Sequence, residues 1–313
     1  MPIDLIVNPH ARMIERDASL LDRMRSVAQG RCELHITDSL DHLEQLCQRL
    51  ARRGTDLVLL SGGDGSLMAG VTALRDAFGA DALPPLAPIP GGTAGTVARN
   101  WGLAGSPLRC LDRLLSYPLR RKMRPTIEVT AWDGGGTIER RQLGFIFGTG
   151  LVAQFFGLYY ERDAPGYLGS ARIVARVFVE SFVGGPFAER VLRPLPCRLA
   201  VEGRVLEPTA WSLICCAVVP NLGIHMLVTH RAAEDPDRPH LVANPLPPRQ
   251  LGPRAPRVLA GQPIGGRHSV DRLVRGFAIT FPERGPYVLD GELEETSRLE
   301  VSPGPALTVV SPG

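Results

Sequence analysis

The chain has 313 residues, 44% of them hydrophobic and 21% charged, with a formal net charge of +3. At roughly 100–200 residues per domain it is long enough for two domains, each able to bury a core without disulfides or a structural metal. So small a positive charge gives no argument for a nucleic-acid partner.

Lys122 is the only lysine, in the run Arg120-Arg-Lys-Met-Arg-Pro125. A P-loop needs G-x-x-x-x-G-K-[ST] and a protein kinase needs a lysine on an early strand, so both classes are excluded. The cysteines (32, 47, 110, 197, 215, 216) have no C-x-x-C spacing. That fits neither a disulfide framework nor a zinc site and points to a reducing, intracellular setting. No uncharged apolar stretch is long enough to span a membrane. The opening MPIDLIVNPH lacks the basic and apolar regions of a signal peptide.

In chain order, the apolar runs Ile3–Val7, Glu33–Ile36, Leu57–Leu60 and Leu86–Ile89 read as strands. Between them, 15–28, 39–53 and 67–78 read as helices. Leu40, Leu43, Leu46, Cys47 and Leu50 keep a 3.6-residue period, with Asp38 and Ser39 as cap candidates. Further helices are expected from about Ala94 and Leu108. This alternation predicts a parallel sheet covered by helices.

After Pro125 the pattern becomes mainly antiparallel β. Ile127–Trp132 and Thr137–Phe147 flank a glycine turn, and Cys197–Val201 with Arg204–Leu206 forms a second hairpin. Leu213–Val219, Leu227–Thr229, Ser269–Phe281 and Tyr287–Leu289 are further strands. Helical insertions are expected near Leu168–Val183 and Arg254–Leu259, and a Pro-rich surface loop over Asn244–Pro256.

Two glycine loops carry the chemistry. Asp56–Ser61 runs as a strand into Gly62-Gly63-Asp64-Gly65-Ser66, and a helix follows. Gly62, Gly63 and Gly65 are free to take positive φ, so the main chain can approach a ligand. Backbone N–H groups at the helix start suit phosphate oxygens, and Ser66 suits a cap. Asp64 would repel phosphate unless a divalent cation lay between them, which makes it a ligand of Mg²⁺ or of its water shell. Alone, this loop equally fits an ordinary helix-entry turn. The second loop, Gly91-Gly92-Thr93-Ala94-Gly95-Thr96, leads into Val97-Ala-Arg99-Asn100. On consecutive parallel strands the two could hold one polyphosphate.

SGGDGS followed by PGGTAGTVAR resembles the diacylglycerol kinase catalytic domain family, which includes bacterial lipid kinases and sphingosine kinases. Asn8-Pro9 is similar to that family's opening motif, and Asp290-Gly291-Glu292 to its late D-G-E element. The resemblance implies an α/β ATP-binding domain (1–124), a β-sandwich domain carrying a lipid pocket (125–297), and C-terminal strands (298–313) returning to the first domain. It implies an ATP- and Mg²⁺-dependent lipid kinase, with diacylglycerol as the default acceptor. Asn8, Gly62, Gly63, Asp64, Gly65, Ser66, Gly92, Thr93 and Arg99 would bind nucleotide, with Asp64 at the metal. Asp290 would be the general base. If the segment is extended, Glu292 shares its face and supports it. Without the resemblance, Asp290-Gly291 reads as a hairpin turn.

The chain departs from the family pattern in three places. Gly95 stands where the family carries Asn, Arg12 stands at a family glycine, and Glu234-Asp235-Pro236-Asp237 replaces a D-D-G-L element that holds a structural Mg²⁺. NAD kinases share the GGDG loop and a β-rich second domain, so an NAD kinase-like enzyme or a catalytically weak binding homologue stays open.

Between Leu151 and Arg193, Phe155, Phe156, Tyr159, Tyr160, Tyr167, Phe178, Phe182 and Phe187 interleave with Arg162, Arg172, Arg176, Arg190 and Arg193. This pattern fits domain core or a peripheral contact with anionic bilayer. The expected location is cytoplasmic with peripheral membrane association, and homodimerisation is left open.

Overall fold

In the computed structural model the first four expected strands form as β1 (Ile3–Val7), β2 (Glu33–Ile36), β3 (Leu57–Gly62) and β4 (Leu86–Pro90). The structure describes residues 2–17, 19–92, 95–161, 176, 180 and 185–313. The four strands are parallel in the order β2-β1-β3-β4. β3 is buried along its whole length, as a strand covered by helices on both faces should be.

The helices of this unit are α1 (Arg12–Arg16), α2 (Ser19–Ala28), α3 (Leu40–Arg53), α4 (Asp64–Phe78), α5 (Thr96–Asn100) and α6 (Pro107–Ser116). Leu20, Met24, Leu111 and Leu114 of α2 and α6 pack with Leu5, Leu59 and Ile89 into one core cluster. The expected helix over 15–28 is broken, because the Asp17 carboxylate accepts from the Ser19 N–H (3.1 Å) and begins α2 afresh. Ser39 caps α3 as expected, its hydroxyl accepting from the His42 N–H at 3.2 Å. α4 begins three residues earlier than expected, which places Ser66 inside its first turn and leaves Gly63 as the cap.

The chain divides into two units, Met1–Thr126 with Pro305–Gly313, and Ile127–Gly304. Both crossings fall inside continuous strands, β5 (Leu119–Trp132) and β16 (Glu292–Pro312), the second of them at Pro303-Gly304-Pro305. β16 joins the parallel sheet beside β4, pairing Val309 with Leu86.

The second unit is antiparallel. It holds β6 (Ile138–Gly144), β7 (Ile146–Gly150), α7 (Leu151–Glu161), α8 (Pro186–Val191), β8 (Leu195–Pro196), β9 (Arg198–Val201) and β10 (Arg204–Val205). After these come β11 (Ala210–Trp211), β12 (Leu213–Ala217), β13 (His240–Asn244), α9 (Pro248–Leu251), α10 (Ala255–Leu259), β14 (Val270–Leu273) and β15 (Phe277–Leu289). The strands run β14-β13-β12-β7-β15-β16, with β9 on β15 and β5 on β6.

Four expectations need correction here. Thr137–Phe147 is not one strand but β6 and β7, broken at Phe145. Leu227–Thr229 is not a strand: Ile224 and His225 both take positive φ, and the segment turns on itself. Ser269–Phe281 is interrupted at Gly276 (φ +159). The Pro-rich stretch is not a bare loop, since Leu246 and Leu251 are buried with Val242 and Val258. The helix expected at Leu168–Val183 lies outside the described residues, apart from Arg176 and Glu180. Cys215 and Cys216 fill the core of β12 as expected, and burial pushes the Cys215 thiol up to about 12.

Candidate active site

The loops after β3 and β4 are neighbours because the strands are, with Gly62 in register with Pro90. They touch through backbone: the Gly91 N–H donates to the Gly62 carbonyl at 2.8 Å. A Cβ on Gly92 would fall 2.5 Å from Gly63 Cα, and one on Gly62 would fall 2.3 Å from Ser66 Cβ. None of Gly62, Gly63, Gly65, Gly91 or Gly92 has positive φ. Contrary to the sequence expectation, none of them makes a left-handed turn, and Gly62 and Gly92 serve close packing. Thr93 lies outside the described residues.

The first-turn amides of α4, on Asp64, Gly65 and Ser66, have no acceptor within their own helix and sit at its positive end. Asn8 ties the end of β1 to this turn, its Nδ2 donating to Ser66 Oγ at 2.9 Å. Its Oδ1 accepts from the His10 N–H, so the side chain fixes the loop geometry. Asn8, the α4 amides and both glycine loops therefore come together in the first unit.

Asp64 reaches across to the second loop. Its Oδ2 accepts from the Thr96 N–H (2.8 Å) and its Oδ1 from the Val97 N–H (3.0 Å), capping α5. Burial raises its carboxyl above the ordinary value, against the lowering effect of these amides and of the Arg99 charge. Arg99 is exposed but close enough to act on Asp64 electrostatically. Gly95 is the one glycine of the pair of loops with positive φ, at +53. That left-handed position favours Gly and, among residues with a Cβ, Asn.

Asp290 is in the second unit, at the tip of the β15–β16 hairpin. It and Gly291 take φ of +49 and +97, while Leu289 pairs with Glu292 across the turn. Glu292 is thus not two residues along an extended strand from Asp290 but opens the returning strand. Asp290 is only 5% exposed. Its Oδ2 accepts from the Phe145 N–H at 2.9 Å and its Oδ1 from the Ile146 N–H at 3.0 Å. Its own N–H donates to the Ile146 carbonyl at 2.9 Å. These bonds coincide with the break between β6 and β7: amides that would have continued a ladder turn to the carboxylate.

Gly144 makes the room, since a Cβ there would fall 2.7 Å from Asp290 Oδ2. Gly144, Phe145 and Ile146 escaped the sequence reading, because a glycine ending a strand signals only a bend. Loss of solvent, with Glu294 nearby, raises the Glu292 carboxyl. Glu294 itself accepts from the Tyr287 hydroxyl at 2.7 Å and pairs with Arg140. On α7, Phe155 packs against the apolar cluster of Phe187, Leu213, Val242 and Leu246. Phe156 faces the hairpin tip, 3.7 Å from where a Gly291 Cβ would stand.

Residues 2–123 match the family described as "Diacylglycerol kinase catalytic domain". No curated protein sequence matches the chain. Among solved structures, a diacylglycerol kinase from Bacillus anthracis str. Sterne is 15% identical with a TM-score of 0.63, over 99% of this chain and 96% of that one. Another from the same strain reaches 16% and 0.67 over 99% and 96%. Yeast NADH kinase complexed with NADH is 12% identical with a TM-score of 0.53, over 100% and 84%. The fold is shared by all of them.

The matching stretch contains both glycine loops, the second with Gly95. At the D-D-G-L position, Glu234 pairs with Arg231, and Asp235 accepts from the Asp237 N–H at 2.9 Å, so these acids are engaged locally. Ligand atoms of Asp4, Glu33 and His35 lie within 4.8 Å of one another. Arg53 bridges Asp4 and Glu33 there, which makes the group an ion-pair network around the buried Asp4.

Proposed function

We propose that the chain is an ATP- and Mg²⁺-dependent lipid kinase that moves the γ-phosphoryl group of ATP to a lipid hydroxyl, with diacylglycerol as the first acceptor and phosphatidic acid as product. The observation that carries this reading is the seat of Asp290, a nearly buried carboxylate fixed by two consecutive amides beside Phe156. Transfer to an alcohol needs a fixed acceptor for the hydroxyl proton, and a loose transition state asks little of that base beyond its position.

The roles divide by unit. The α4 amides at Asp64, Gly65 and Ser66 bind phosphate oxygens, helped by the charge of Arg99. Asp64 accepts from the Thr96 and Val97 amides and from the Thr96 side chain, and the charge of a hydrated cation beside it would offset the cost of its burial. Mg²⁺, when bound, supplies charge neutralisation beside the phosphates. Phe155 and Phe156, half-buried on α7, are the apolar side chains this reading assigns to the acyl chains. A lipid acceptor implies a cytoplasmic enzyme working at a bilayer surface, although no helix among the described residues is long and apolar enough to cross one.

The test is radiolabelled ATP with dispersed diacylglycerol, a sphingoid base, NAD and sugar phosphates. Label in a lipid is expected; label in NAD, or none, overturns the reading. Asp290→Asn should abolish transfer while ATP still binds, and near-normal turnover would remove Asp290 from the mechanism.

A further inference from the structure

The N-terminal half of β5 is an edge of the first unit. Residues 119–126 lie beside β16, while the pairing of β5 with β6 begins only at Ile127. Arg120, Arg121, Lys122 and Met123 are all exposed, although neighbours on a strand point to opposite faces. Over Arg120–Met123 neither face is therefore covered, whereas Leu119 packs on the core of the unit. Arg120, Arg121 and Lys122 have no ion-pair partner among the described residues, in a chain where many surface arginines do. Arg124, the next cation, behaves differently and turns inward over the Trp101 ring, 5.8 Å from its centroid. Two large apolar side chains flank the cations, Tyr117 at 57% and Met123 at 59% exposure.

Charges on an edge strand guard against pairing with another chain, and one or two suffice for that. Three consecutive unpaired cations bracketed by an exposed Tyr and an exposed Met fit a surface that is both anionic and apolar just below its charge. We infer that this edge docks on the headgroup region of an anionic phospholipid bilayer. The cations meet lipid phosphates, and Tyr117 and Met123 enter the interface. A second copy of the chain is disfavoured, because edge-to-edge pairing would set Arg and Lys against Arg and Lys. The inference adds a docking surface to the lipid-kinase reading, but its test reads binding and uses no ATP, so the two fail separately.

The full chain is co-sedimented with vesicles of phosphatidylcholine alone and of phosphatidylcholine with phosphatidylglycerol, at low and high salt. Binding should require the anionic lipid and weaken with salt. Arg120→Gln/Arg121→Gln/Lys122→Gln should lower partitioning on the order of 100-fold, at roughly fivefold per cation. The charge-matched control Arg49→Gln/Arg52→Gln/Arg257→Gln should change it by less than about threefold, since those residues lie elsewhere. Tyr117→Ser/Met123→Ser should reduce binding while leaving its salt dependence unchanged. Circular dichroism and urea midpoints confirm that each variant is folded. Equal binding by wild type and the Arg120 triple variant overturns the inference. So does binding to a DNA duplex with the same charge dependence when the vesicles are not bound, which would make the edge a polyanion site.

Discussion

Gly144→Ala isolates the seat of Asp290. Gly144 has no positive φ, so alanine is allowed by the backbone and the whole effect comes from space. The new methyl would stand 2.5 Å from Leu289 Cδ1 and 2.7 Å from Asp290 Oδ2, both inside van der Waals contact. Leu289 is 1% exposed and has little freedom to move away. The carboxylate must then leave the Phe145 and Ile146 amides. Hydrogen bonds to a charged group are worth roughly 1.5–3 kcal/mol each, and overpacking costs about 1–3 kcal/mol. Allowing for partial relaxation, the variant should lose about 3–5 kcal/mol, out of a total on the order of 5–15 kcal/mol. A lower urea midpoint at unchanged slope measures it. Phosphoryl transfer should fall well below the level that stability alone explains, because the proton acceptor is displaced. A wild-type midpoint would show that the carboxylate does not sit where Gly144 leaves room.

Three further outcomes are expected. Gly95→Ala should cost about 1–2 kcal/mol for its left-handed φ of +53, whereas Gly95→Asn, the residue the family carries, should cost clearly less by thermal unfolding. Asp64→Ala removes the cap from the Thr96 and Val97 amides and should cost about 0.5–2 kcal/mol in a urea titration, with nucleotide affinity falling further than stability does. Asp4 governs acid sensitivity: burial works to raise its carboxyl, but hydrogen bonds from His35, Thr55 and Arg53 outweigh that and hold it below 3.8. The stability it confers is therefore complete above about pH 4 and is lost as pH falls through the lowered value. Asp4→Asn should be less stable at neutral pH and show a flatter loss below pH 4 in urea midpoints taken across that range.

The sequence by itself determined the local pieces. Apolar runs of the right length made β1, β3 and β4, the 3.6-residue period made α3, and two glycine-rich loops were legible as a pair because each follows a strand. The turn at Asp290-Gly291 was legible too, since that dipeptide satisfies the positive φ of a tight hairpin. Tertiary structure decided what those residues do. Whether Gly62 and Gly92 serve a turn or a close approach depends on the neighbouring strand, which lies about thirty residues away in sequence. That Asp64 caps α5, and that Asp290 draws its bonds from Phe145 and Ile146, rests on pairings 32 and 145 residues apart. Local pattern reports a residue's preference for a conformation. A carboxylate's partners are set by which distant amides the sheet has left without an acceptor, and only the folded chain brings them within reach.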